Sequence, residues 1–322
     1  MTMIRRRNTH KPPEEWGFGN QINNRGGRMV RADGSFQVER TGDKWVGFNP
    51  YHWLVNLKWL HFFGFILAFY TTINLLFTCV YLLIGTQYLT GDTSHFEFFR
   101  AFSHAFFFST QTFTTVGYGG VTPMGLATNV AASLEALAGI MSAALMSGLF
   151  FARFSKADPS IAFSALAVIS PYQRGTGLMF RIANRRNNNM TNIKAQVTFS
   201  YLETSPEGVE RREFERLKLE TDVIQLFPLN WTIVHVINDE SPLWGRAAED
   251  FEEMDIEVLA IISGYDDTFA QTVHSRRSYK WHEIKRGFKF LPMYYTHPDG
   301  VTELALDKID AVMPVAVVEE VA

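Results

Sequence analysis

The chain has 322 residues, 47% of them hydrophobic, and a formal net charge of −3. So balanced a charge, with no stripe of Lys and Arg, argues against a nucleic-acid partner. The single cysteine, Cys79, excludes an intrachain disulfide and sits in an apolar run that offers no zinc ligands.

The mean hydropathy is near zero, but apolar residues crowd the first half of the sequence and charges the second. Residues 1–42 are polar and basic, with Pro12-Pro13 and Gly26-Gly27 and no apolar stretch of signal-peptide type. They bury too little to offset the entropy of ordering, so a flexible N-terminal segment is expected. From 43 to 157 the sequence predicts a membrane domain. Asn49 suits a helix cap and Pro50 a first turn. Tyr51, Trp53, Leu54 and Leu57 then share one face, and Trp45, Trp53 and Trp59 suit the headgroup region. This is the pattern of an interfacial helix; the alternative is an extension of the next helix.

Between Trp59 and Gly85 no residue is charged, long enough to cross the roughly 30 Å hydrocarbon core. Asn74, Thr71 and Thr72 are polar spots suited to bonds with neighbouring helices. A second apolar stretch, from about Val121 to Ala152, carries one charge, Glu135, and many small residues. Arg40, Lys44 and Lys58 precede the first span, and Arg153 and Lys156 follow the second. By the positive-inside rule both termini are cytoplasmic. Between the spans, residues 96–113 are rich in phenylalanine yet too short to cross twice. A short helix that dips in and returns fits, its irregular backbone shielded by protein or a water-filled cavity.

After Asp158-Pro159 the period becomes two, as in Ile193, Ala195, Val197, Phe199 and Tyr201, with Gly- or Pro-rich turns between segments. Residues 158–322 therefore read as a β-sandwich of eight to ten strands, with one short helix near 245–254.

The returning segment reads Thr114-Thr115-Val116-Gly117-Tyr118-Gly119. TVGYG is a known potassium-filter sequence. A potassium ion leaving water needs oxygen ligands all round, and backbone carbonyls supply them if several chains point them inward. That geometry needs positive φ, which Gly117 and Gly119 tolerate. Thr115 adds a hydroxyl, Val116 and Tyr118 pack behind, and four identical chains close the ring. The expected ligand is K⁺ at Thr115, Val116, Gly117 and Tyr118, with no cofactor. The short helix before the filter directs its partly negative end at the cavity.

With the filter, four further stretches resemble the inward-rectifier potassium channels, particularly their prokaryotic branch. They are Asn49–Trp53, Leu178–Asn184, Trp231–Ile237 with Glu240–Leu243, and Ser263-Gly264 to Ala270-Gln271 with Ser275–Tyr279. The resemblance implies an immunoglobulin-like cytoplasmic domain, a gate at the inner-helix bundle, a homotetramer, and a place in the bacterial inner membrane. On it, Phe151 is similar to the gate residue, with Phe150 the competing position. Gly139 is similar to a hinge, with close helix packing the alternative. Ala143 falls where strong rectifiers carry an acid, so weak rectification is expected. Glu207, Asp266 and Asp267 match the cytoplasmic pore. Arg153 and Lys156 match an anionic-lipid site, so lipid modulation is expected. Gln111 and Gly120 stand where many relatives place a bracing ion pair, absent here. Glu135, an acid inside a span, is read as a filter brace bonded to Thr110 or Thr112.

Two other readings have to be separated from this one. A channel with a Rossmann ligand-binding domain would need G-x-G-x-x-G between strand and helix, and Gly175-Thr-Gly177 lacks the third glycine. A non-conducting membrane-anchored sandwich leaves the filter unexplained. No nucleophile elbow, zinc pair or phosphate loop suggests an enzyme.

Overall fold

A computed structural model describes residues 25–31, 34–38, 49–91, 98–157, 160–186, 188–205 and 208–315. The chain divides into two compact units, one over 41–156 and one formed by 157–322 with the described N-terminal residues.

In the first unit α1 (Pro50–Asn56) starts at Pro50, where the Asn49 side chain accepts the His52 N–H at 3.2 Å. α2 (Trp59–Ile84) is 26 residues long, about 39 Å at 1.5 Å per residue. α3 (Phe98–Phe113) has 16 residues, about 24 Å, too short to cross. α4 (Gly125–Phe154) has 30 residues. Only 17% and 11% of the most apolar stretches of α2 and α4 are buried. A soluble core helix would be hidden, so this exposure fits lipid. α4 starts at Gly125, later than the apolar run at Val121. The preceding residues are held extended instead: Pro123 bridges Leu89, and the Thr90 N–H donates to the Thr122 carbonyl at 2.8 Å. Tyr81, Leu89, Ala105, Phe108 and Ala131 form the core that holds α2, α3 and α4 together.

The second unit is a β-sandwich. Its strands are β1 (Ile161–Phe163), β2 (Ala167–Tyr172), β3 (Gly175–Asn184), β4 (Met190–Thr204), β5 (Glu210–Leu217), β6 (Val223–Leu226) and β7 (Asn230–Ile237). After α5 (Ala248–Glu253) come β8 (Glu257–Asp266), β9 (Gln271–Lys280), β10 (Ile284–Arg286), β11 (Phe288–Phe290), β12 (Tyr294–Thr296), β13 (Thr302–Leu304) and β14 (Val312–Pro314). One sheet runs β1-β3-β2-β10 with β7 also on β3; the other runs β5-β4-β8-β9 with β6 also on β4. β10 on β2 is parallel, and the other pairs are antiparallel. Ile193, Ala195, Val197 and Phe199 of β4 face inward against Leu178, Phe180 and Ile182 of β3. Fourteen strands among the described residues exceed the expected eight to ten. Strands of three residues, such as β10 to β14, are too short to show an alternating pattern.

The described part of the N-terminal segment, expected to be flexible, makes contacts with the second unit's strands. Met29 and Val30 are buried against Leu259 and Phe214, and the Met29 N–H donates to Glu257 at 3.0 Å. Arg28 donates to the Ser278 hydroxyl and carbonyl at 3.0 and 2.7 Å. Glu257 also faces Lys280 at 3.7 Å, and Lys280 in turn pairs with Asp255, which pairs with Arg212. Ordering is repaid by charge-assisted bonds, which composition alone does not reveal.

Candidate functional site

The filter follows directly from the end of α3. Thr115, Gly117 and Gly119 have φ of 59°, 55° and 79°. Two are glycines; Thr115 carries a side chain in the left-handed region, a strained conformation for it. The Thr115 N–H bonds the Thr112 carbonyl at 3.0 Å and holds that turn. The N–H groups of Val116 and Gly117 both donate to the Gln111 carbonyl, at 3.0 and 3.2 Å. A trans peptide points its carbonyl opposite to its N–H, so these two bonds turn the carbonyls of Thr115 and Val116 away from α3. Val116 and Tyr118 were expected to pack behind the filter, but on this chain they are 53% and 84% exposed.

Glu135 is fully buried in α4. It accepts the Tyr81 hydroxyl of α2 at 2.6 Å and the Ser109 hydroxyl of α3. One carboxylate thus ties three helices. The expected partners Thr110 and Thr112 are not its donors; Thr112 turns back to the Phe108 carbonyl at 2.8 Å. Ser109 shares the buried face of α3 with Ala105 and Phe108, Thr110 lies about 100° further round the helix, and Thr112 lies on the same face nearly one turn beyond Ser109. The sequence reading missed Tyr81, although a tyrosine in an uncharged span was a usable signal.

Gly139 sits against the C-terminal end of α3. A Cβ there would collide with the Phe113 carbonyl. Close packing, one of the two readings of this glycine, is therefore what the backbone requires. Near the end of α4 the two phenylalanines differ. Phe150 packs on Phe62 and Phe63 of α2, with ring centroids 5.2 and 6.0 Å away. Phe151 is 74% exposed and Ala143 is exposed.

Arg153, expected with Lys156 at an anionic-lipid site, is also engaged within the protein. Its Nη1 donates to the carbonyls of Leu54 and Val55 at 2.7 and 2.9 Å, and Nη2 to Leu57 at 2.7 Å. The guanidinium also lies 4.5 Å from the Trp59 ring centroid and 4.3 Å from that of Phe62. The carbonyls of Leu54 and Val55 are among the last of α1 and Leu57 is its C-cap, an end where a cation is favoured. Lys156 donates to the Asn56 side chain and remains exposed.

Of the acids expected in the cytoplasmic pore, Asp266 is buried and accepts Asn188 Nδ2 at 2.7 Å and the Thr268 N–H at 2.9 Å. It pins the end of β8 and is not available to a passing ion. Asp267 is exposed. Glu207 lies outside the described residues.

A re-entrant helix leading into a strained TVGYG loop between two apolar spans, followed by an immunoglobulin-like sandwich, defines a two-span potassium channel. The family model "Inward rectifier potassium channel C-terminal domain" matches residues 161–322, and "Ion channel" matches residues 75–156. Inward rectifier potassium channel Kirbac3.1 of Paramagnetospirillum magnetotacticum is 34% identical over 283 residues, 87% of this chain and 94% of that one. The mouse G protein-activated inward rectifier potassium channel 2 is 29% identical over 305 residues, 86% of this chain and 69% of that one. The mouse G protein-activated inward rectifier potassium channel 4 is 29% identical over 261 residues, 74% of this chain and 61% of that one. The chain belongs to the inward rectifier potassium channel family. It is an integral membrane protein of an ion-channel family, not of an enzyme family.

Proposed function

We propose that the chain conducts K⁺ passively and selectively through a homotetrameric pore, with Thr115–Gly119 as the filter. The observation that carries this reading is the positive φ at Thr115, Gly117 and Gly119, joined to N–H groups bound behind the loop. Together they leave a row of carbonyls for a dehydrated cation. Assembly with three identical subunits is supported by Val116 and Tyr118, whose apolar surface this chain leaves uncovered.

In this reading Glu135 braces α3 against both spans, and Gly139 seats α4 on the end of α3. Phe151 is the gate, a ring of four rings that dewets when closed; Phe150 anchors α4 to α2. Ala143 offers the cavity no charge, so polyamines or magnesium bind weakly and rectification is weak. Asp267 adds a cation-attracting charge on the cytoplasmic side. Both termini are cytoplasmic, in a bacterial inner membrane. Anionic lipid acts through the exposed Lys156, since Arg153 is occupied.

Planar-bilayer recording under opposed K⁺ and Na⁺ gradients tests this reading. The expected current reverses near the potassium equilibrium potential and vanishes in Gly117→Ala, whose Cβ opposes positive φ, while native mass gives four chains for both proteins. A selective current in Gly117→Ala, or a monomeric conducting species, would remove the filter assignment.

A further inference from the structure

We propose that Thr90 is the positioning residue of the pore's outer mouth: its hydroxyl clasps the strand leaving the filter to the end of α2, and so sets where a cation entering from that side first binds. The inference rests on the reading of Thr115–Gly119 as a potassium filter. α2 ends at Gly85, whose φ of 110° turns the chain out of the helix. A short turn over Thr86–Tyr88 then brings Leu89 into the core with Tyr81, Ala105, Phe108 and Ala131, where it is wholly buried. Gly91 follows with φ of 119°, and a Cβ there would come within 2.8 Å of His104 Nε2 of α3. Thr90 is therefore fixed by the residues on either side of it.

Beyond the filter the chain has little to hold it. Gly119 and Gly120 are adjacent, and within one chain a Cβ at either would meet nothing within 4 Å. The Val121 carbonyl takes one long bond, from Gln111 Nε2 at 3.4 Å. The closely held point is Thr122 with Pro123, which bridges Leu89. On one side of that bridge the Met124 N–H donates to the Tyr88 carbonyl at 2.7 Å, and on the other the Thr90 N–H donates to the Thr122 carbonyl at 2.8 Å. A third bond uses the Thr90 side chain. Its Oγ1 accepts the Thr122 N–H at 2.6 Å and lies 2.7 Å from the Thr122 hydroxyl.

The two main-chain bonds would survive a substitution at 90 that keeps its shape. The bond to the Thr122 N–H would not, since the side chain alone supplies its acceptor. Four such anchors, one from each subunit, set the width of the mouth through the short span from Gly119 to Val121. A divalent cation such as barium meets the outermost carbonyls first when it arrives from this side, and Thr115 first when it arrives from the other. Loosening the anchor should weaken block from one side of the membrane only, which a general packing defect would not do. Valine has the shape of threonine without the hydroxyl, and serine keeps the hydroxyl. Thr122→Val keeps the N–H that Thr90 accepts and loses only the contact between hydroxyls.

The test is planar-bilayer recording of K⁺ current with barium added to each side in turn, for wild type, Thr90→Val, Thr90→Ser and Thr122→Val. Native mass checks that each is tetrameric. In Thr90→Val the half-blocking barium concentration should rise about fivefold from one side, the loss of one hydrogen bond, and stay unchanged from the other. Thr90→Ser should match wild type, and Thr122→Val should shift less than Thr90→Val. If Thr90→Val does not assemble, Thr90→Ala against Thr90→Ser makes the same comparison. A tetrameric Thr90→Val blocked like wild type from both sides, or weakened equally from both, would overturn the proposal, as would a Thr90→Ser that behaves like Thr90→Val. A wild type without barium-sensitive K⁺ current would instead remove the filter reading beneath it.

Discussion

Replacing Arg153 by Lys separates two roles that a cation at this position could have. The substitution keeps the charge that an anionic headgroup would feel. It removes the planar fork, which here spans the carbonyls of Leu54, Val55 and Leu57. A lysine can keep about one of the three bonds. Two lost bonds from a charged donor, at roughly 1.5 kcal/mol each, amount to about 3 kcal/mol, and weaker stacking on Trp59 and Phe62 adds up to about 1 kcal/mol. That is enough to free the end of α1 from α4. The assay is ⁸⁶Rb⁺ uptake over a series of anionic-lipid fractions, alongside thermal unfolding in detergent. Arg153→Lys and Arg153→Gln are expected to change flux and lower the unfolding temperature together, while the lipid fraction for half-maximal flux stays put in Arg153→Lys. If Arg153→Lys matches wild type in flux and stability and only Arg153→Gln shifts the lipid dependence, the clamp is refuted and Arg153 is a lipid ligand.

Three further outcomes are expected. Phe151→Ala should raise basal ⁸⁶Rb⁺ flux, whereas Phe150→Ala should lower thermal stability by loosening α4 from Phe62 and Phe63; the reverse pattern in flux would move the gate by one residue. Gly139→Ala should abolish assembly or flux, because the added carbon meets the Phe113 main chain, and a fully active tetrameric Gly139→Ala would show that α4 yields at this point. The third concerns His235, whose pKa is held below the usual histidine value by burial, partly opposed by the Lys218 carbonyl. The unfolded chain then takes up a proton that the folded one refuses, so stability falls as pH drops below about 6.5. His235→Gln should flatten that part of the pH–stability profile, measured by thermal unfolding of the full chain, and an unchanged slope would contradict the assignment.

The spans, the filter and the sandwich were legible because each imposes a long periodic or compositional demand on the sequence. Uncharged runs, TVGYG, and the alternation through β4 are such demands. What stayed hidden depends on where helices meet. Gln111 stands in the sequence as a missing ion pair, and only the fold reveals that its amide reaches both Tyr118 and Val121. Glu135 is recognisable as a brace, but the choice of Ser109 over Thr110 follows from the rotation of α3. Arg153 and the N-terminal Arg28 look like flanking charges until the carbonyls of Leu54 to Leu57 and of Ser278 come within reach. Asp266 shows the opposite error: an acid in a loop-like position is taken by Asn188 and the Thr268 N–H.

The most direct measurement is ⁸⁶Rb⁺ uptake by liposomes holding the purified wild-type protein, with K⁺ inside, under barium block and Na⁺ competition. A selective potassium pore predicts uptake that barium stops and excess Na⁺ leaves intact. Uptake that Na⁺ competes away, or no uptake even in Phe151→Ala across neutral and anionic lipids, would contradict it.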